Sequence, residues 1–184
     1  KLGRDIPKDI PERYLQMNKW GIPEDSQIYL LSKNLVQLIE RISNDFGFSP
    51  KETGIIIGQR FRHLEGKKEL CPSFSYETLY EMFRFIRSKG LLPAIARVML
   101  PEVVAQPHPD FEKILTVLNH RKYSMNDITG QASALLEEFK GICYSYNDRA
   151  ASDWIMGRIH MQGLGNVNLA EVRKEINRLS GLTI

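Results

Sequence analysis

One signal constrains this chain more than any other: a helix start that recurs along its length with no strand pattern between the repeats. Ser49-Pro50-Lys51-Glu52 puts a hydroxyl at the capping position, a proline at the first helical position and a glutamate three residues after the cap. The serine oxygen accepts from a backbone N–H that has no intrahelical partner, and proline there gives up only such an orphan donor. Ser75 offers a cap again, with Phe74 and Leu79 spaced as a hydrophobic staple. Ser124 is followed by Asp127 with a Tyr123/Ile128 staple, and Asn168 by Glu171 with a Val167/Val172 staple. Asn147 or Asp148 can cap a further helix. No segment alternates apolar and polar residues between hairpin turns. The expected fold class is therefore all-α, built from short helices.

Apolar spacing fills in the elements. Pro7 and Pro11 make the first residues read as an extended linker, with a short helix from Pro11 to about Asn18. Between Pro23 and Gly47, Leu35, Leu38, Ile39, Ile42 and Phe46 form one helical stripe. The helix opened by Ser49 carries Ile55, Ile56, Ile57 and Phe61 and should end near Gly66. Leu79, Met82, Phe83 and Ile86 line the next helix, which stops before Gly90, and a short helix is expected from Pro93 to Leu100. Three prolines between Pro101 and Pro109 predict a bend or crossing loop, followed by a short helix from Asp110 to about Leu118. In the last third, Trp154, Ile155, Met156 and Ile159 share one helix. The final helix puts Leu169, Val172, Ile176 and Leu179 on one face and Arg173, Lys174, Asn177 and Arg178 off it. This reading gives two helical subdomains, 1–120 and 121–184, joined near residues 119–124. The runs IIGQRF, from Ile56, and IMGRIH, from Ile155, echo each other faintly across the two.

Composition narrows the function classes. At 184 residues and 42% hydrophobic content the chain can bury a core, as one large domain or two small ones. A net charge of +3 is too small for nucleic-acid binding by overall charge, so any basic surface must be local. Cys71 and Cys143 form no Cys-x-x-Cys pair and read as free thiols of a reducing, cytoplasmic setting. No apolar run is long enough to span a membrane, and the polar, proline-bearing start has no signal-peptide pattern. Because it opens on Lys1, the sequence reads as a fragment of a longer polypeptide.

Enzyme motifs find little purchase. Gly163-Leu164-Gly165 is a lone Gly-x-Gly preceded by a helical pattern, with no third glycine opening the next helix. A dinucleotide site needs a strand before the glycines, so Gly163, Gly165 and Asn168 read as a helix-to-helix turn. The N–H groups opening the helix at Asn168 remain able to meet a phosphate. His63, His108, His120 and His160 have no ligand spacing, so no metal is expected. No nucleophile elbow or other catalytic constellation is present.

Basic residues gather in three places: Arg60, Arg62, Lys67 and Lys68 around His63; Arg84, Arg87, Lys89 and Arg97 around Gly90; and Arg158, Arg173, Lys174 and Arg178 on the last helix pair. Cations at helix ends complement the dipole, and they also suit phosphate contacts, which position a nucleic acid without reading its bases. Tyr76, Tyr80, Phe83 and Trp154 read as core.

The stretch WIMGRIHMQGLGNVNLAEVRKEI, from Trp154, resembles the end of the GatB/GatE subunits of tRNA-dependent amidotransferases and the stand-alone YqeY proteins. Gly157, Arg158, Gly163, Gly165, Asn168 and Val172 fall on that family's pattern. DIPERYLQMNKWGIPEDSQIYLLSKNLVQLIERI, ETGIIIGQRFRHLEG and SYETLYEMFRFIRSKGLLPAIARVMLPEVV are similar to its preceding helical segments, so the resemblance covers nearly the whole chain. The turn His160–Gly165 lacks the lysines common in that family. Residues 125–184 hold six Lys/Arg against seven Asp/Glu.

The resemblance implies a helical cradle followed by a small helical tail that binds tRNA and supports transamidation of mischarged glutamyl-tRNA(Gln) or aspartyl-tRNA(Asn). It implies an amidase partner subunit that supplies ammonia, and an activation domain, N-terminal to Lys1, that would hold ATP and Mg. No catalysis and no cofactor are expected in this chain itself. Arg158, Arg173, Lys174 and Arg178 are then the tail candidates for phosphate contact, and Arg60, Arg62, Lys67 and Lys68 those of the cradle. The alternative is a helical scaffold that docks a partner protein in an apolar groove and binds no RNA.

Overall fold

The structure, a computed structural model, describes residues 10–183, and every regular element among them is helical. The extended linker expected before residue 10 lies outside the described residues. The chain divides into two compact units, 1–114 and 115–184, each described below by itself. The division falls earlier than the sequence boundary, inside the short helix α8 (Phe111–Val117).

The first unit opens with α1 (Ile10–Trp20), whose Arg13 is buried. A buried guanidinium must be paired. Arg13 Nη1 donates to Glu40 Oε2 at 2.7 Å and to Gln16 Oε1 at 3.0 Å, while Gln16 Nε2 donates to Glu40 Oε1 at 2.9 Å. The stretch between Pro23 and Gly47 holds two helices, α2 (Glu24–Ser32) and α3 (Val36–Phe46). Asn34 breaks them, with φ 54°: its N–H reaches Leu31 O at 3.0 Å and the N–H of Leu35 reaches Leu30 O at 2.8 Å. This six-to-one closure satisfies the last carbonyls of α2. The same closure follows α1 at Gly21 and recurs at Lys68, Gly90, Asn119 and Gly181, all with positive φ. Glycine and asparagine tolerate that conformation; Lys68, at φ 59°, does not share their excuse.

Ser49 caps as its sequence suggests, its Oγ accepting from the Glu52 N–H at 3.5 Å. The helix it opens is not uniform. α4 (Pro50–Ile55) passes into a six-residue π turn, Ile56–Phe61, and then α5 (Arg62–Gly66). In the π turn the N–H of Arg62 bonds back to Ile57 O, one residue further than in an α-helix. A Cβ added to Gly58 would stand 2.6 Å from the Ser26 Cβ, and one on Gly54 2.5 Å from Ile22 Cδ1, so bare glycine lets this helix press onto α2 and the turn before it. α6 (Glu77–Ser88) buries Leu79, Met82, Phe83 and Ile86, the stripe expected from spacing. After a 3-10 turn at Pro93–Ile95, α7 (Ala96–Val104) runs through Pro101. The bend expected between Pro101 and Pro109 falls after Val104: Pro101 lies inside α7, and the Arg97 carbonyl that its missing N–H leaves open takes the Arg60 guanidinium instead. Fully buried Phe61, Phe83, Leu30, Ile39 and Ile57 belong to the core of this unit.

The second unit contains α9 (Met125–Thr129), α10 (Ala132–Ile142), α11 (Asp148–Gly163) and α12 (Leu169–Ser180). Ser124 and Asp127 form a reciprocal capping box, and Asn147 and Asn168 cap α11 and α12 through their side-chain oxygens. Ile128, Leu136, Phe139, Ile155, Ile159, Val172 and Ile176 make its core.

Candidate nucleic-acid interface

Two open grooves, each about 380 Å³, flank the π turn of the first unit. The first is lined by Ile55, Ile56, Gln59, Arg60, His63 and Arg97; the second by Asp25, Gly58, Gln59, Arg62, His63, Gly66 and Lys67. Gln59 and His63 belong to both and form the ridge between them. Positions four apart stand above one another on a helix surface, while Arg60 and Arg62 leave it to either side.

The way these arginines are held decides what they can do. Arg60 Nε donates to the Arg97 carbonyl at 3.3 Å, and Arg62 Nη1 donates to the Asp25 carbonyl at 2.9 Å. Arg62 also lies over the Tyr29 ring, 5.6 Å from its centroid. Carbonyls and a ring orient a guanidinium without cancelling its charge. The nearest acid on the same helix, Glu65, is turned toward α2, taking a hydrogen bond from Tyr29 Oη at 3.0 Å and an ion pair from Lys33 at 2.8 Å. Burial first, and then Glu65, push the Tyr29 phenol far above its ordinary value, so it stays a donor to that carboxylate. Lys67 lies 3.9 Å from Glu69, a loose exposed pair worth little. Lys68 is exposed and occupies its left-handed position beside Lys67. Arg60, Arg62, Lys67 and Lys68, grouped from sequence, thus lie at one end of one helix. The structure adds Arg97, which the sequence reading grouped with Arg84, Arg87 and Lys89, together with Gln59 and Asp25.

The candidates of the second unit are held differently. Arg158 pairs with Glu138 at 3.3 Å and lies 4.7 Å from the Trp154 ring centroid; Arg173 pairs with Asp153 at 2.6 Å. Arg178 meets Glu175 through two bonds of 2.8 and 2.5 Å. The Arg178 ion pair holds the Glu175 carboxyl below its usual range. Lys174 is exposed. A phosphate approaching Arg158, Arg173 or Arg178 must compete with a carboxylate already in place.

The glycine turn is a packed corner. Gly163 ends α11, where an added Cβ would lie 2.6 Å from Leu169 Cδ2, and Gly165 has φ 81°. Leu164 is buried, and Asn166 Nδ2 ties the turn to the carbonyls of Arg121 and Gln162, both at 2.8 Å. At the start of α12, Asn168 Oδ1 accepts from the Ala170 N–H at 2.9 Å, and Glu171 adds a negative charge to the first turn. That helix end already serves its own cap.

A further groove, about 410 Å³, is lined by Glu77, Glu81, His108, Asp110 and Phe111 among others, and its carboxylates repel a polyanion. Cys71 and Cys143 are free thiols, no group of acids, histidines and cysteines among the described residues is arranged to hold a metal ion, and no described helix is long and apolar enough to cross a membrane. No family model, curated protein or solved structure matches this chain.

Proposed function

We propose that this chain is a tRNA-recognition module of a GatB/GatE-type amidotransferase subunit, working in the cytoplasm beside an amidase partner, and that its phosphate-binding face is the ridge around the π turn rather than the tail. The single observation that carries the reading is the holding of Arg60 and Arg62 by neutral carbonyls in neighbouring open grooves. Cations so held keep their charge for a polyanion, and Arg presents a planar donor fork suited to phosphate. The sequence resemblance supplies the class of polyanion.

Filter binding of the chain to unfractionated tRNA at two salt concentrations tests it. Saturable binding that weakens steeply with salt is expected, because each phosphate neutralised releases counterions. No binding at low salt would overturn the reading.

A second reading is favoured by a different observation. Ile142, at the end of α10, and Tyr144 and Tyr146, between α10 and α11, are exposed in a unit where Arg158, Arg173 and Arg178 are paired. This suits a protein-docking scaffold without an RNA role. It predicts binding of a partner protein that is insensitive to salt and leaves tRNA unbound.

A further inference from the structure

A patch that only bound phosphate would have no use for a carboxylate, yet Asp25 lines the groove that holds Arg62 and Lys67. Its position is tied down. The backbone carbonyl of Asp25 takes the Arg62 guanidinium at 2.9 Å, and its carboxylate accepts from the adjacent Ser26 hydroxyl at 3.3 Å. An ionised carboxylate has about four lone-pair sites, so one such bond leaves acceptor capacity on Asp25, which is exposed and lines the groove. Gln59 lines the same groove, is exposed, and brings two amide donors and one acceptor. The groove thus combines cations with an acid and an amide.

The ligand that matches this combination has phosphates and a hydroxyl that donates as well as accepts. A ribose between two phosphates is such a ligand: its 2′-hydroxyl gives a hydrogen to a carboxylate and takes one from an amide, and it is the group that lets a protein tell RNA from DNA. Acidic side chains serve riboses in this way in dinucleotide sites, where they accept from the same hydroxyl. The second groove, across the Gln59–His63 ridge, offers Arg60 and Arg97 to a neighbouring phosphate.

Resting on the tRNA reading above, we propose that Asp25 and Gln59 read a ribose 2′-hydroxyl, so that the π-turn ridge is selective for RNA over DNA of the same sequence. Arg62 and Lys67 hold one flanking phosphate, and Arg60 and Arg97 the other.

The test exploits a difference in sign. Binding of the chain is measured to an oligouridine of about a dozen nucleotides, to its 2′-deoxy counterpart, and to unfractionated tRNA. Wild-type protein is expected to favour the RNA oligonucleotide by on the order of tenfold, the worth of a hydrogen bond to a charged group. Asp25→Ala keeps the backbone carbonyl that holds Arg62. It should weaken RNA binding by a similar factor while leaving DNA binding unchanged or strengthening it, since a repulsive charge is gone. Gln59→Ala, at an exposed position, should narrow the preference without Asp25 being touched. If Asp25→Ala strengthens both ligands alike, or neither variant changes the ratio, the ribose assignment falls while tRNA binding through phosphates stands. If the wild-type chain binds neither tRNA nor either oligonucleotide, the tRNA reading falls with it.

Discussion

Gly58 and Ser26 meet so closely that a Cβ on the glycine would lie 2.6 Å from the Cβ of the serine. The contact is to the first carbon of Ser26, which cannot swing aside. Gly58→Ala should therefore lower stability by about 1–3 kcal/mol, the usual result of overpacking. In a Ser26→Gly background the same change should lose less than half as much. Chemical denaturation of the four proteins checks this, and an equal loss in both backgrounds would show that the clash is not what makes Gly58 necessary.

Lys68 holds a left-handed backbone where the comparable turns hold glycine or asparagine. Lys68→Gly should raise stability by about 1 kcal/mol, because the side chain's steric penalty disappears. The same substitution removes a cation from the proposed phosphate face and should weaken tRNA binding. Lys68→Gln, which keeps the strain, should weaken binding with no gain in stability. Paired melting and binding curves separate the two effects.

The two arginine sets should answer salt differently. Arg60→Gln and Arg62→Gln are each expected to reduce the slope of log affinity against log salt by about one unit. Arg158→Gln and Arg173→Gln, whose partners Glu138 and Asp153 already neutralise them, should change it far less. The reverse ranking would move the interface to the second unit.

Burial holds the Glu52 carboxyl above its ordinary range, with Arg97 opposing the shift. An acid whose folded-state value is raised contributes stability that is full below its unfolded value and lost as pH rises through the folded one. Glu52→Gln should thus stabilise the protein near neutral pH and make no difference at about pH 3, where both states of the wild-type residue are protonated. It also relieves Arg97 of a neighbouring negative charge, so affinity for RNA should rise. Melting temperatures at the two pH values test the first statement.

Asn168→Ala should weaken the second unit by about 1 kcal/mol through loss of the α12 cap. Its effect on the salt dependence of tRNA binding should be nil, because the cap and not a ligand occupies that helix end. A lowered slope would restore the start of α12 as a phosphate site.

Helix starts were legible because their chemistry is local: Ser49, Ser124, Asn147 and Asn168 each satisfy an N–H two or three residues away. Helix α10 escaped because Gln131, before its first residue, gives no cap signal and makes no side-chain cap bond. The break at Asn34 escaped because neither glycine nor proline marks it. Periodicity is also blind to the π turn, since Ile57, Phe61 and Leu64 read as a regular stripe across it. The candidate interface was half legible. Arg60 and Arg62 are close in sequence, but Arg97 and Asp25 reach them from other helices, 37 residues away in either direction. The pairing of Arg173 with Asp153 across 20 residues is equally invisible to spacing, and it is what separates a free cation from a neutralised one.

The π turn is in effect a helix with one residue too many, and that surplus has a consequence for how the chain tolerates changes of length. Removing one of its two exposed residues, Gln59 or Arg60, would let the ladder close as an ordinary α-helix with both flanks still in register. The same deletion inside α4 or α5 would rotate everything downstream by about 100° and bury the wrong face. Gln59 and Arg60 belong to the turn that carries the surplus. A shortened chain could therefore keep its architecture and lose its ridge, which makes the proposed binding face an addition that the fold carries rather than one it depends on.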